Sequence, residues 1–397
     1  MIIPKASRLD HVQEYYFARK LAEVGALNAR GKNVINLGIG SPDMAPSPAT
    51  IDALTQAAAQ PAGHGYQPYR SLPVLRQAMA DWYAGTFQVN LAADTEVLPL
   101  MGSKEGIFHI TMAFLNPGDK VLVPNPGYPA YAATARLAGA EPVFYTLREE
   151  NNWLPDMAEL EEIASQGVKL MWINYPHMPT GAQATTEALQ ALVALATKYK
   201  FLLVNDNPYS LVLPAATPLS MLSIPGAKDC CLELNSLSKS HNMAGWRVGA
   251  VLGRHDYLDA ILAVKSNIDS GMLQAVQHAA VAALQSDDAW HLLRNQEYAR
   301  RRQLVYQLLD TLGCSCQTDT VGMFVWARVP GHITDVEAYL DELLYEAGVF
   351  LTPGKIFGTQ GERFLRVSLC LPVSQIEEAI HRITKQQQLN TLHHERR

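Results

Sequence analysis

The stretch NSLSKSHNMAGWRVG, residues 235–249, sets Lys239 between two serines at the end of an apolar run, with Arg247 further on among glycines. A lysine buried at a strand end loses hydration energy, so it needs a partner or a chemical task. An amine whose charged form is disfavoured by its surroundings attacks carbonyl groups, and a guanidinium offers a forked set of donors to a phosphate. MGSKEGIFHI puts Gly102, Ser103 and Lys104 at the start of a strong helical pattern, where backbone N–H groups and the helix dipole attract anions. Ser103 as a simple N-cap is the plain alternative. In VPNPGYPAY, Tyr128 lies on a turn from which a flat side chain could cover a flat ligand. NDNPYS ends another apolar run with Asp206, followed by Tyr209. A carboxylate there needs a hydrogen-bond partner, unless it only forms an Asx turn before Pro208.

The elements that must hold these residues follow from hydrophobic spacing. TIDALTQAAAQ, LPVLRQAMADWYAG and TTEALQALVALATKYK repeat apolar residues at three and four, the helical period. Between such helices lie KVLVPNP, KLMWINYP, FLLVNDNP and CCLELNS, short runs rich in branched residues and without polar alternation. That pattern predicts an α/β domain, a mostly parallel sheet wrapped by helices, with ligands at the ends of its strands. After about residue 285 the texture changes. A long polar helix, AWHLLRNQEYARRRQLVYQLLDTLG, leads into the strand-like GMFVWARV and RFLRVSLCL, predicting a smaller α+β domain. The expected division is 1–43, an N-terminal arm and part of the small domain; 44–285, the large domain; and 286–397, the small C-terminal domain. The tail KQQQLNTLHHERR is expected to fray.

Composition narrows the class of protein. With 397 residues, 48% of them hydrophobic and 18% charged, the chain can bury a large core. A net charge of −6 with both signs scattered gives no reason to expect nucleic acid or an anionic membrane as partner, and no apolar run is long enough to span a bilayer. The N-terminus turns charged too early for a secretory signal. Cysteines at 230, 231, 314, 316 and 370 match neither zinc spacing nor a disulfide framework. They read as small buried hydrophobes in a reducing cytoplasm, and no metal site is expected.

Taken singly, these residues have plain readings: a satisfied lysine at 239, a turn serine at 236, a surface charge at 247. Together they fit pyridoxal 5'-phosphate (PLP). Its phosphate takes backbone N–H groups and a guanidinium, its ring nitrogen a carboxylate that keeps it protonated, and its aldehyde a lysine amine.

The chain resembles the fold-type I, class I/II PLP-dependent aminotransferases nearly from end to end. SLSKSHNMAGWRVG is similar to the family's Ser-x-x-Lys … Gly-x-Arg-x-Gly signature, and INLGIGSPD, GYQPYRSLPVLRQAMADWY, PNPGYPAY, NYPHMPTGA, NDNPYS and FLRVSL occur in the family's order. GSKEGI leans towards the branch of LL-diaminopimelate, aspartate and broad amino-acid aminotransferases. The resemblance implies that Lys239 forms the internal aldimine and shuttles the proton. It gives Asp206 the pyridinium nitrogen, Tyr209 the ring hydroxyl and Tyr128 the ring face. Ser236, Arg247 and the Ser103–Lys104 backbone would hold the phosphate. Tyr66 would reach the phosphate of the neighbouring subunit, which implies a homodimer with shared sites. Arg366 would clamp the substrate carboxylate beside the Gly40 backbone; in isolation it reads as an exposed residue of an edge strand.

The resemblance thus implies ping-pong transfer of an amino group between an amino acid and a 2-oxo acid. A C–S β-lyase using the same cofactor contacts is the alternative. One departure stands out: Met178-Pro179-Thr180-Gly181 replaces the family's Asn-Pro-Thr-Gly, and Asn174 or His177 is left to cover part of the missing asparagine's task. Lys265, in AVKSNIDSGM, lies near where some dicarboxylate-specific members of the family carry an arginine for the distal carboxylate, but reads better as a solvated helix lysine; Lys104 and His109 read as structural through their side chains.

Overall fold

Residues 3–11, 16–215 and 217–395 are described in the computed structural model. Seven strands form the large sheet: β1 (Val97–Leu100), β2 (Lys120–Asn125), β3 (Glu141–Thr146), β4 (Val168–Ile173), β5 (Leu202–Asp206), β6 (Cys231–Ser236) and β7 (Gly249–Gly253). Their order in space is β1–β7–β6–β5–β4–β2–β3, and only β7 runs against its neighbours.

The period of two along each strand divides the apolar residues between two faces. Leu170 and Trp172 join one core with Val204, Leu232 and the helix residues Ile107, Ile110, Leu258 and Ile261. Met171 and Ile173 join the other with Leu203, Cys231, Leu189 and Leu192. A strand buried on both faces has no use for polar alternation, which is why these runs lack it. Cys231, Cys314 and Cys370 are buried as expected, whereas Cys230 and Cys316 are partly open to solvent.

The small domain is built on β8 (Ser315–Cys316), β9 (Phe324–Arg328), β10 (Thr352–Pro353) and β11 (Phe364–Ser368), ordered β10–β11–β9–β8 and antiparallel throughout. Arg366 therefore lies on an inner strand, between Trp326 and Thr352, and is not an edge residue. The helix Asp288–Thr311 starts at Asp287, whose carboxylate accepts the Trp290 N–H at 3.0 Å. The last helix runs from Val373 to Glu395, through the segment expected to fray; Arg396 and Arg397 lie outside the described residues. The N-terminal segment joins this half of the molecule: Ile35–Asn36 pairs with Val349–Phe350, and Asp43 meets Arg301 at 2.6 Å.

Candidate active site

Because β1, β4, β5 and β6 run in one direction, the residues at or just beyond their C-terminal ends, Gly102, Asn174, Asp206 and Ser236, gather on one edge of the sheet. A cavity of about 370 Å³ opens there and reaches Phe324, Phe357 and Arg366 of the small domain.

At one end lies the start of the helix Ser103–Phe114. Its cap is Gly102, at φ +84°, with no side chain satisfying the first N–H groups, so Ser103 is the first helical residue and not the N-cap. A Cβ on Gly102 would collide with the Arg247 guanidinium. Ser236 instead caps the short helix Leu237–Ser240, accepting the Ser238 N–H at 3.2 Å. Arg247, itself at φ +56°, donates to the Ala244 carbonyl at 2.8 Å and reaches Ser238 Oγ at 3.4 Å. Burial and the charge of Arg247 both lower the pKa of Lys104, which lines the cavity beside Ser103. A bare helix N-terminus facing a guanidinium is a cradle for a dianion.

Asp206 forms the floor. One of its oxygens accepts the Tyr131 hydroxyl at 3.0 Å, while the other is buried without a hydrogen-bond partner. Burial raises its pKa to about 7, the Tyr131 bond opposing the rise. Tyr131 stacks on Trp172 at 4.9 Å and 8°, and Tyr128 meets Tyr131 edge-on at 5.7 Å. Tyr209 is buried against Phe324 at 6.1 Å. A carboxylate with one unmet oxygen calls for a donor, above all a positively charged one.

Lys239 projects from the helix Leu237–Ser240, and its Nζ donates to the Gly40 carbonyl. Burial is the main cause that brings its pKa down to about 8. Opposite stands Arg366, 4% exposed, donating from Nη2 to the Gly38 carbonyl at 2.7 Å. Its guanidinium lies 3.9 Å from the Phe324 ring centroid, 4.7 Å from Phe357 and 5.4 Å from Phe17. Gly40 has no room for a side chain because a Cβ would collide with the Phe324 ring.

Met178 occupies the place of the family asparagine with its sulfur 3.4 Å from Arg366 Nη1. Asn174 lines the cavity, but its amide is engaged by the backbone: Nδ2 donates to the Asp206 carbonyl and Oδ1 accepts the Met178 N–H at 2.9 Å. His177 does not line the cavity; it bonds Thr180 at 2.8 Å, and burial lowers its pKa to about 3. Tyr66 is 95% exposed and does not line its own chain's cavity.

Lys265 corrects an expectation. It is not a solvated helix lysine: its side chain is 1% exposed and paired with Asp269 and Glu105. Two buried features had sequence signals that went unread. Tyr131 is a second tyrosine in the PNPGYPAY motif, and Glu105/His109 and Lys265/Asp269 both stand at i, i+4. The aromatic rings around Arg366 had none.

The chain matches the aminotransferase class I and II family over residues 32–383. It is 41% identical to an LL-diaminopimelate aminotransferase of Dehalococcoides mccartyi over 380 residues, 95% of this chain and 97% of that relative. The LL-diaminopimelate aminotransferase of Maridesulfovibrio salexigens is 40% identical, covering 96% and 98%. Among solved structures, substrate-bound BacF from Bacillus subtilis superposes with a TM-score of 0.93 at 32% identity, over 96% of this chain and 98% of that one. Thermus thermophilus aspartate aminotransferase with maleate gives 0.90 at 26% identity, over 97% and 100%. The fold and cavity define a fold-type I PLP enzyme. The chain belongs to the class I and II aminotransferases, which carry out ping-pong transamination on PLP. The residues present fit that cofactor: the unmet oxygen of Asp206 suits a protonated ring nitrogen, and the bare helix start beside Arg247 suits its phosphate.

Proposed function

We propose that the chain moves the amino group of an α-amino acid to a 2-oxo acid, with Lys239 as proton carrier and Arg366 as carboxylate clamp. The observation that carries this reading is the buried amine of Lys239, brought down to about 8 in the cavity that also holds the under-satisfied Asp206. PLP, when bound, supplies an aldehyde for amines and a ring that withdraws electrons from the substrate Cα. Lys239 Nζ takes the Cα proton and returns it on the other side of the transfer. Asp206 keeps the ring nitrogen protonated, Tyr209 holds the ring hydroxyl and Tyr128 covers a ring face. Ser236, Arg247 and the Ser103 and Lys104 N–H groups hold the phosphate. Arg366 and the Gly40 backbone hold the substrate carboxylate, with Asn174 bracing the floor through the Asp206 carbonyl.

The working unit in this reading is a homodimer. Tyr66 is 95% exposed beside Tyr69 at 49%, and the neighbouring Ile268 and Leu273 are 64% and 49% exposed. Gly271, between the last two, packs on the Pro68 carbonyl, so the two segments form one surface suited to a second copy offering its own site to Tyr66. The five free thiols suit the reducing cytoplasm, and no described helix is long and apolar enough to cross a membrane. The domain division at 43/44 and 285/286 is part of the same proposal, supported by the Asp43–Arg301 pair and the Ile35–Val349 pairing that tie the first segment to the last.

The test is the near-visible absorption of the PLP-loaded protein on adding single amino acids without an acceptor. The expected result is conversion of the cofactor band by one group of donors, with the matching 2-oxo acid released. Steady release of ammonia without an acceptor would instead identify a lyase, and a band unmoved by every donor would sink the transaminase reading.

A further inference from the structure

Outside the cavity, a largely buried group of charges joins the start of the helix Ser103–Phe114 to the segment after the helix His255–Lys265. Glu105 accepts the Met101 N–H with one oxygen. Its other oxygen meets His109 Nε2 at 2.7 Å and lies 3.7 Å from Lys265 Nζ. Lys265 also pairs with Asp269, whose Oδ1 accepts the Gly271 N–H at 2.8 Å. Donor atoms of Glu105, His109 and Asp269 lie within 4.8 Å of one another, a spacing that a metal ion could use. The ammonium of Lys265 already supplies the positive charge there, so the group is an ion-pair network.

One end of this network touches the phosphate side of the cavity, and the other the loop that carries Tyr66. Met101 immediately precedes Gly102 and the bare helix start, and its carbonyl faces Arg247 Nη2 at 3.5 Å. Glu105 thus fixes one peptide of the turn whose next carbonyl meets the guanidinium. At the other end, Gly271 sits so close to Pro68 that a Cβ would come within 2.9 Å of its carbonyl oxygen. Asp269, by holding the Gly271 N–H, steadies the loop that carries Tyr66.

We infer that Lys265 is a positioning residue for the phosphate end of the cofactor site, acting through Glu105 on the Met101–Lys104 turn and through Asp269 on the Tyr66 loop. The inference rests on the reading of the cavity as a PLP site. Without the ammonium, two carboxylates would share a largely enclosed space; one must take up a proton or turn outward, and a Glu105 that turns outward leaves the Met101 N–H without its acceptor.

The test titrates the cofactor-free protein at equilibrium with PLP and, separately, with pyridoxal, which lacks the phosphate. Lys265→Met is expected to weaken PLP about tenfold, the scale of one lost supporting interaction, and to leave pyridoxal within about twofold. Lys265→Arg restores most of the PLP affinity. Asp269→Asn, which keeps the lysine, gives a smaller loss in the same direction and serves if Lys265→Met does not fold. Equal weakening of both aldehydes, or no weakening of PLP, overturns the inference while leaving the cofactor reading intact. A wild-type protein that fails to bind PLP overturns both.

Discussion

Lys265 and Lys239 are both withdrawn from solvent, and their surroundings differ in kind. Lys265 sits between two carboxylates, Glu105 and Asp269, and its ammonium pairs with both. Lys239 donates to a backbone carbonyl, faces Arg366 and Arg247 at longer range, and is brought down to about 8. Two carboxylates on adjacent strands repeat the contrast. Glu233 is fully buried yet accepts from Tyr83, Ser220, the Met221 N–H and Asn205 at 2.8–3.2 Å. Asp206 accepts from Tyr131 alone and leaves an oxygen bare. Burial raises the pKa of both acids, so burial does not separate structure from function. Within this pair satisfaction does: Asp206 leaves an oxygen bare beside the cavity, where a ligand can complete it.

The largest effect that could break this contrast is at the lysines. Lys239→Ala is expected to lower kcat by about 10³-fold or more, whereas Lys265→Met at saturating PLP stays within about tenfold. Similar kcat losses in single-turnover measurements would erase the distinction. Next is Arg366→Ala, expected to raise KM for both donor and acceptor by about a hundredfold through loss of a forked contact; an effect on one substrate alone would contradict a shared clamp.

The carboxylates give opposite signs in thermal or denaturant melts of the cofactor-free protein. Glu233→Gln leaves several donors without an acceptor and is expected to cost roughly 3 kcal/mol. Asp206→Asn removes a charge that folding disfavours and is expected to stabilise by up to about 4 kcal/mol at pH 8, while weakening PLP. The native-state pKa of Asp206 is raised from 3.8 to about 7, so its penalty is absent below about 3.8, grows between the two values and is constant above about 7. The stabilisation by Asp206→Asn must follow that rise; a gap independent of pH would refute it. The smallest expected effect is that of Met178→Asn, which replaces the sulfur beside Arg366 with an amide and should change KM about threefold, read from initial rates with donor varied.

The sequence was most legible where chemistry and chain neighbourhood coincide. Asp206, Ser236 and Lys239 end strands or follow them directly, and Gly102 opens a helix, so local pattern placed them on the same sheet edge. The rings around Arg366 were not legible, because Phe17, Phe324 and Phe357 come from three distant segments and each reads locally as ordinary core. Lys265 was misread for a related reason: its helix is amphipathic enough to suggest a solvated charge, and only the packing of the helix Ser103–Phe114 brings Glu105 to it. Met178 was visible as a departure, but its contact with Arg366 depended on the meeting of the two domains.

The outward-facing Tyr66 has a genetic consequence. If one chain completes the other's site, two inactive variants can cure each other. A dimer formed from a Lys239→Ala subunit and a Tyr66→Phe subunit collects both lesions in one site and leaves the second with an intact lysine and an intact tyrosine. Mixed after co-expression, the pair is expected to regain activity that neither homodimer has at limiting PLP, whereas a chain that worked alone would show no such rescue.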